Sequence, residues 1–433
     1  MDALQQLMNE ASSSESSSSS SSSALAAAGT AATSPAASVI LVAGCIDFDN
    51  ATAKAPAGLE VPHAIRLGVR IVQAFSSSSS LHCFFLAEGK RKVFAIGKND
   101  RGQLGLGPDN ATVLYPREVP LNDVLSGGSA EHIVAISTGR SHSLLLMSTG
   151  FCFGAGANTE GQLGMGDSKT AARDCSHFTK IPSLSQISDI SAGYEHSMAC
   201  DAGGKLYTWG HPQYGCLGFG SDGSYMREGG KGAAVKFQFV HVPREVIRFV
   251  QKDSRDKITA ELSTRDVRIG AVAAGKNHSI CLEKGGLGRV FTCGFGGYGR
   301  LGHNSANDET LFREVTTFQQ LVQGQQVVPT MPQKQICQII GGSSFSMAIS
   351  KSQTLYFWGK LSNSARGEAV TYPTPNSDLT GWHCRQAVGG SNSVIVAADD
   401  KVVAWGVPVA GKWGLEGGAK STVGGCYYPL LST

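Results

Sequence analysis

His142, His196 and His278 are each followed by a serine, and histidine is the side chain best suited to moving protons or binding a metal near neutral pH. They stand one per copy of a returning motif: Thr138-Gly139-Arg140-Ser141-His142-Ser143, Ala192-Gly193-Tyr194-Glu195-His196-Ser197 and Ala274-Gly275-Lys276-Asn277-His278-Ser279. No two histidines lie four residues apart beside a carboxylate, so the chain carries no zinc-type metal signature. There is no Gly-x-Ser-x-Gly elbow to present a nucleophile, and no copy is enriched in acid and base pairs. The expectation is that each imidazole satisfies backbone groups inside its own blade. No catalytic residue, metal site or cofactor is expected.

Two glycine motifs could bind nucleotides. Gly294-x-Gly296-x-x-Gly299 has the spacing of a dinucleotide fingerprint, but the residues that follow do not read as the helix that would hold the pyrophosphate. It also lies in register with Gly210 and Gly215, so it reads as a structural turn. Gly417-Gly418-Ala419-Lys420-Ser421 resembles a phosphate loop, but Ala419 separates glycine from lysine, and the reading is rejected.

The elements around these residues repeat. Each copy has a short apolar run, a turn, a second run ending in glycine, and usually another glycine five residues later: Gly97 and Gly102, Gly156 and Gly161, Gly210 and Gly215, Gly294 and Gly299, Gly406 and Gly411. The copy at Gly359 lacks the second glycine. Runs such as Ser197 to Cys200 and Leu206 to Trp209 are too short for helices and are bounded by turn residues. A lone unit cannot bury its apolar face, so units must pack side by side, and four-stranded units packed radially make a β-propeller. The fold class is therefore all-β: a seven-bladed-type propeller with six recognisable blades and a partial seventh. Copies are expected at 71–119, 131–182, 187–220, 269–315, 337–373 and 382–415.

The recurrence of Gly-x-x-His-Ser, Trp-Gly and Gly-Gln-Leu-Gly in register resembles the regulator of chromosome condensation family over Val39 to Gly414. Phe295 to His303, Val394 to Asp399 and the long segment between the third and fourth copies point to one branch of it. The resemblance implies a non-enzymatic platform that regulates a small GTPase in mitotic or cytoskeletal control, with nucleotide exchange as the activity. In the family, acidic and polar residues in the turns before each histidine contact the GTPase. Here those positions are Arg140, Ser141, Tyr194, Glu195, Lys276 and Asn277. Glu195 keeps an acid, whereas Arg140 reverses the sign, which argues against exchange on Ran itself. A scaffold on chromatin or microtubules without exchange activity is the alternative. An ultraviolet-B receptor shares the implied fold but resembles repeats of Gly-Trp-x-His-Thr. This chain offers only Gly381-Trp382-His383 and five tryptophans in all.

Composition agrees with a strand-and-turn protein. Of 433 residues 54 are glycine, and only 16% are charged, well below the usual quarter. A net charge of +3 is too small to argue for nucleic acid. No window is long and apolar enough for a membrane-spanning helix, and Met1-Asp2-Ala3 does not open a signal peptide. Eleven scattered cysteines without Cys-x-x-Cys read as reduced, buried thiols. That usage, with the resemblance, leads to an expected location in nucleus and cytoplasm.

Three segments depart from the repeat. Residues 1–38 are Ser- and Ala-rich, have no aromatic, Lys or Arg, and are expected to form a disordered tail before a propeller spanning 39–433. Residues 221–266 break the period. Lys236 to Val242 alternates like a half-buried strand, and Asp253 to Asp256 reads as a turn between two more. This insertion is expected to be a β-hairpin wing on one face, and insertions in repeat proteins often lie on the binding face. With nine basic and seven acidic residues, it offers Arg244, Arg248, Lys252 and Arg255 to a partner. After Leu415 the pattern stops. Val39 to Ala43 is expected to be a closing strand that completes a blade begun by the C-terminus, with Ala51 to Leu67 a loop. Either the seventh blade is a two-strand remnant or the chain is truncated.

Overall fold

The computed structural model describes strands at 39–42 and 63–66, residues 67–406 apart from 110, 126–129, 167–172, 227–234, 287, 323–325, 330–334 and 362–367, and a last strand at 426–429. The stretch 1–38 lies outside the described residues, as do 417–421. β1 (Val39–Val42) and β2 (His63–Arg66) form a two-stranded antiparallel sheet. Blade 1 comprises β3 (Ile71–Phe75), β4 (His82–Ala87), β5 (Val93–Lys98) and β6 (Thr112–Glu118). Blade 2 comprises β7 (Ile133–Thr138), β8 (His142–Met147), β9 (Cys152–Gly156) and β10 (Cys175–Lys180). Blade 3 begins with β11 (Ile187–Ala192), β12 (His196–Asp201) and β13 (Leu206–Gly210). β14 (Ser224–Met226) and β15 (Val235–Phe237) then pair with each other, and β16 (Val240–Val246) returns as the fourth strand of blade 3.

β17 (Arg248–Lys252) and β18 (Ile258–Ser263) precede blade 4, which comprises β19 (Ile269–Ala274), β20 (His278–Glu283), β21 (Val290–Gly294) and β22 (Glu309–Glu314). β23 (Gln319–Val322) and β24 (Gln326–Pro329) form a hairpin before blade 5. Blade 5 comprises β25 (Ile336–Gly341), β26 (Phe345–Ser350), β27 (Leu355–Gly359) and β28 (Val370–Pro375). Blade 6 comprises β29 (Cys384–Gly389), β30 (Ser393–Ala398), β31 (Lys401–Gly406) and β32 (Cys426–Pro429). This is the all-β propeller read from the repeats, with six blades and, among the described residues, three two-stranded sheets in addition: β1–β2, β14–β15 and β23–β24.

Burial explains why the second strand of each copy is apolar at successive positions rather than at alternate ones. β8, β20 and β26 are buried at every residue, because each sheet is covered on both faces by its neighbours. Apolar cores lie between successive blades: Phe84 and Leu86 with Leu145 between blades 1 and 2, Leu144 with Trp209 between 2 and 3, and Met198 with Phe249, Phe291 and Phe312 between 3 and 4. Ile280 with Trp358 joins blades 4 and 5, and Met347 with Val394 and Val396 joins 5 and 6. Each large side chain so buried contributes about 1.5–3 kcal/mol.

The insertion at 221–266 is not one projecting wing. Its half-buried stretch is divided between β15 and β16, and β16 belongs to blade 3 because the fourth strand of that blade has to be supplied after the β14–β15 pair. The second half, β17–β18, turns at Asp253 to Asp256 as read, but it extends blade 4 to six strands through parallel pairing of Phe249 with Phe312 and Val250 with Arg313. The apolar face of Phe249 and Val250, both buried, draws the hairpin onto the blade edge. The first strand also differs from expectation. β1 pairs with β2, inside the stretch read as a loop, whereas the C-terminal β32 completes blade 6 by pairing with β31. Among the described residues no helix is long and apolar enough to cross a membrane.

Candidate partner-binding rim

Strands within a blade reverse direction each time, so the turn between the first two strands and the loop between the last two share one side of the ring. The sequence dictates how that side is joined. In Gly-x-x-His the glycine makes room for the ring: a Cβ on Gly139, Gly193 or Gly275 would overlap the imidazole of His142, His196 or His278. The glycine ending the third strand meets the same place from above. Gly210, at φ +103, lies against the carbonyl of Glu195 and the Cα of His196, where a side chain could not fit.

The imidazole then leaves its own blade. His142 Nε2 lies 3.0 Å from Ser197 Oγ, His196 Nε2 3.1 Å from Ser279 Oγ, and His278 Nε2 2.9 Å from Ser346 Oγ. His82 makes the same bond to Ser143 Oγ at 2.8 Å. Each serine hydroxyl donates its one proton to a loop carbonyl: Ser143 to Gln103, Ser197 to Gln162, Ser279 to Cys216 and Ser346 to Arg300, at 2.7–2.8 Å. The imidazole Nε2–H is therefore the donor to the serine, which fixes the tautomer of the neutral ring. Burial agrees, holding His82 and His142 at about 3 and His196 at about 4, and pushing His278 well down. The expectation that these rings serve backbone groups of their own blade is corrected: they join one blade to the next and do not exchange protons near neutrality. His82 was passed over because the serine run Ser76 to Ser80 hides the motif; a His two residues after a Ser-rich turn was the available signal.

Above these joints the turn residues of blades 2, 3 and 4 meet. Arg140 N donates to Tyr194 O and Tyr194 N to Lys276 O, both at 3.2 Å. The Arg140 guanidinium lies 4.7 Å from the Tyr194 ring centre and Lys276 Nζ 4.9 Å from it, so two cations engage one aromatic ring. Arg140 Nη1 is 3.1 Å from Glu195 Oε1. The sign reversal at Arg140 is thus neutralised within the rim. Ser141, Glu195 and Asn277 are half-buried, and their carbonyls accept from Ala157, His211 and Phe295 at 2.8–2.9 Å. Farther round, Arg300 is buried, donates to Gly297 O and Ser343 O, and lies 4.6 Å from the Phe295 ring. Arg300 and its neighbour Tyr298 gave no sequence signal, because their place in the Gly-x-Leu-Gly tail reads only as a turn.

Of the four cations expected on the wing, three are engaged. Arg248 forms a two-pronged exposed pair with Glu261 across β17 and β18. Arg244 lies over Phe219 at 4.4 Å. Lys252 meets Glu309, which also pairs with Arg313 at 2.8 Å, and Arg313 reaches Asp256 at 2.8 Å. Arg255 is exposed, and its side chain has no partner among the described residues. The wing tip and the rim share one side: Asp256 Oδ2 accepts from Asn307, in the loop before β22, at 3.2 Å. No group of three or more His, Cys, Asp or Glu among the described residues could hold a metal ion.

Comparison with known proteins matches residues 42–424 to the RCC1-like domain. The chain belongs to this family. The RCC1-like domain is 36% identical to Protein RCC2 of Homo sapiens over 347 residues, 78% of this chain and 59% of that one. It therefore spans under two thirds of the length of the RCC2 proteins it matches. Among solved structures, human WBSCR16 aligns with a TM-score of 0.62 at 17% identity, covering 82% of both chains. Prp20p of Saccharomyces cerevisiae, in a structure whose description concerns its binding to Gsp1p and histones, aligns at 0.55 and 19% identity over 78% of this chain and 72% of that one. Both show the fold. Membership in the RCC1-like domain family accords with reading Gly294 to Gly299 as a blade turn. In the structure that turn ends β21 and makes one turn of 3-10 helix at Gly297–Gly299.

Proposed function

We propose that this RCC1-like domain is a non-catalytic platform whose rim at Arg140, Tyr194, Glu195 and Lys276 binds a small GTPase and regulates it, with nucleotide exchange as the activity. The observation that carries the reading is the continuous contact of turn residues from three blades, far apart in sequence, on one exposed rim. The histidines behind them are locked as neutral structural donors, which leaves recognition as the work of that surface. An exchange factor needs only a face that prefers the nucleotide-free GTPase, since differential affinity shifts the equilibrium away from bound nucleotide. Ser141 and Asn277 hold the rim by their backbones, and the exposed Arg255 places a free cation on the same side. The setting proposed for it is mitotic or cytoskeletal control, in nucleus and cytoplasm, as the resemblance to the regulator of chromosome condensation family implies.

The test is nucleotide release from a panel of purified small GTPases. Acceleration should appear for at least one, and Glu195→Lys should reduce it at least about tenfold by placing like charges together, without lowering the melting temperature. No acceleration for any GTPase would overturn the exchange reading and favour a scaffold on chromatin or microtubules. Binding to nucleosomes that weakens steeply with salt would identify the former.

A further inference from the structure

The residue between the first glycine and the leucine of each Gly-x-Leu-Gly tail is buried: Gln103 is 0% exposed, and Gln162, Cys216 and Arg300 are 3% exposed. Its carbonyl does the same work in blades 1 to 4, accepting the hydroxyl proton of the joint serine. Its side chain does not. In blades 1 and 2 the glutamine oxygen accepts from the backbone N–H two residues earlier, of Arg101 and Glu160, at 2.9 Å. In blade 3 the Cys216 thiol fills the place and donates to His211 O. The position therefore requires no charge, and of these four blades only blade 4 puts a guanidinium there.

That guanidinium has no counter-ion. Arg300 Nε donates to Gly297 O and Nη1 to Ser343 O, both at 2.8 Å, and Nη2 has no hydrogen-bond partner among the described residues. Asp308 lies within electrostatic range, but its carboxylate accepts from Gly296 N at 2.8 Å. Burial pulls the pKa of Arg300 down to about 10. In blades 1 and 2 the cations on this side of the ring are paired: Lys98 with Asp100, Arg101 with Asp174 and Arg140 with Glu195. Around Arg300 the neighbours are aromatic instead. The Phe295 ring centre is 4.6 Å from the guanidinium and itself packs on Tyr214. Tyr298, 5.6 Å away, is 39% exposed, and Lys360 Nζ lies 5.6 Å from the same ring, so this cluster reaches solvent. A buried ion without a partner is costly. Its presence where glutamine suffices in two other blades calls for a counter-charge supplied by a ligand.

We propose that the Arg300 cleft, between blades 4 and 5, anchors an acidic segment of a partner protein, with an Asp or Glu carboxylate accepting from Nη2. Two carbonyls and two rings set the guanidinium plane before binding, so little conformational freedom is lost. The bond is charge-assisted, and Phe295 and Tyr298 shield it from water. Lys360 attracts a second carboxylate of the same segment. A guanidinium with one unoccupied nitrogen suits a singly charged carboxylate better than a doubly charged phosphate with three acceptor oxygens. The site does not depend on the partner of the rim being a GTPase.

The probe is a rhodamine-labelled peptide, Gly-Asp-Glu-Asp-Glu-Gly, added to the 433-residue protein at low ionic strength. Fluorescence anisotropy should show saturable binding that the Gly-Asn-Gln-Asn-Gln-Gly peptide lacks. Arg300→Gln should weaken it at least about tenfold, because hydrogen bonds to charged groups are the strong ones. The substitution restores the residue that blades 1 and 2 carry, so the melting temperature should not fall. Lys360→Ala and Tyr298→Ala, nearer the surface, should each weaken binding about threefold and test the site independently of Arg300. Lys90→Gln, an exposed cation on the opposite side of the ring, should change nothing. Absence of saturable binding overturns the proposal. So does binding that the Arg300 substitution leaves unchanged, that Lys90→Gln weakens equally, or that the uncharged peptide reproduces. A peptide with phosphoserine in place of the acids that binds at least about tenfold tighter would also overturn it, in favour of a phosphorylated ligand.

Discussion

At the upper end of blade 4, His278 reaches Ser346 of blade 5 as a neutral, fully buried donor; at its outer edge, Lys252, Glu309, Arg313 and Asp256 meet as charges. Both arrangements attach one piece of chain to a neighbour, but they spend different chemistry. The inner joint repeats four times and is made from uncharged groups, so its burial costs less than that of ions, even with Nδ1 of His82, His142 and His278 left without a partner. The outer one occurs once, holds an insertion to the blade edge, and keeps Glu309 and Arg313 buried as ions. Charges buried in that way depend on every partner being present.

Acid separates the two most widely. The staple histidines titrate far below 6.5 when folded and near 6.5 when unfolded. Below pH 6.5 the unfolded chain therefore binds protons that the folded one refuses, and stability falls with pH. It is fully present above 6.5 and is lost progressively toward pH 4. At pH 5 each of His82, His142 and His196 should cost about 2 kcal/mol, with His278 acting in the same direction. Asp189, raised to about 6 by burial, works the other way and offsets a part. Asp256 is held below its ordinary range by Arg313, so its contribution is lost only at lower pH. Denaturant titrations at pH 7, 6 and 5 should show a steep decline; stability independent of pH over that range would contradict the neutral joints.

A smaller effect concerns one joint. His278→Ala should lower stability by about 2–4 kcal/mol, from the cavity and the lost donor, and Ser346→Ala by about 1–3 kcal/mol, because His278 Nε2 and the Arg300 carbonyl lose a partner. The double variant should cost less than the sum, since the two side chains serve each other. Additive losses in a double-mutant cycle would mean that the ring and the hydroxyl act separately. The smallest effects lie on the hairpin. Lys252→Ala should cost about 1–3 kcal/mol even in high salt, because Glu309 is buried, whereas exposed Arg248→Ala should cost under about 1 kcal/mol and less as salt is added. Equal losses for the two would show that burial does not set the strength of the outer edge.

Much of this architecture could be read from spacing. The glycine before each histidine and the glycine ending the third strand mark places where a Cβ has no room, and such steric demands recur visibly. The partner of each histidine was not legible, because Ser197, Ser279 and Ser346 stand a whole repeat downstream and only the ring of blades makes them neighbours. His82 was masked by a serine-rich turn. At the insertion, local alternation signalled strands, but whether they projected or joined a blade depended on Phe249 meeting Phe312, a tertiary contact. Tyr194 and Lys276 could be placed on one rim by the repeat register. That both Lys276 and Arg140 would settle on one tyrosine ring could not.

The histidine–serine joint has two unlike halves, and every blade from 2 to 4 carries one half on each side. Such units are interchangeable in the manner of couplings with a plug at one end and a socket at the other: a whole copy could be duplicated or lost between them and the remaining ends would still match. Blade 5, with Phe345 where the plug should be and Ser346 as a socket, can stand only last in such a train. The substitution of one aromatic ring for an imidazole therefore gives the series a terminus as well as a direction.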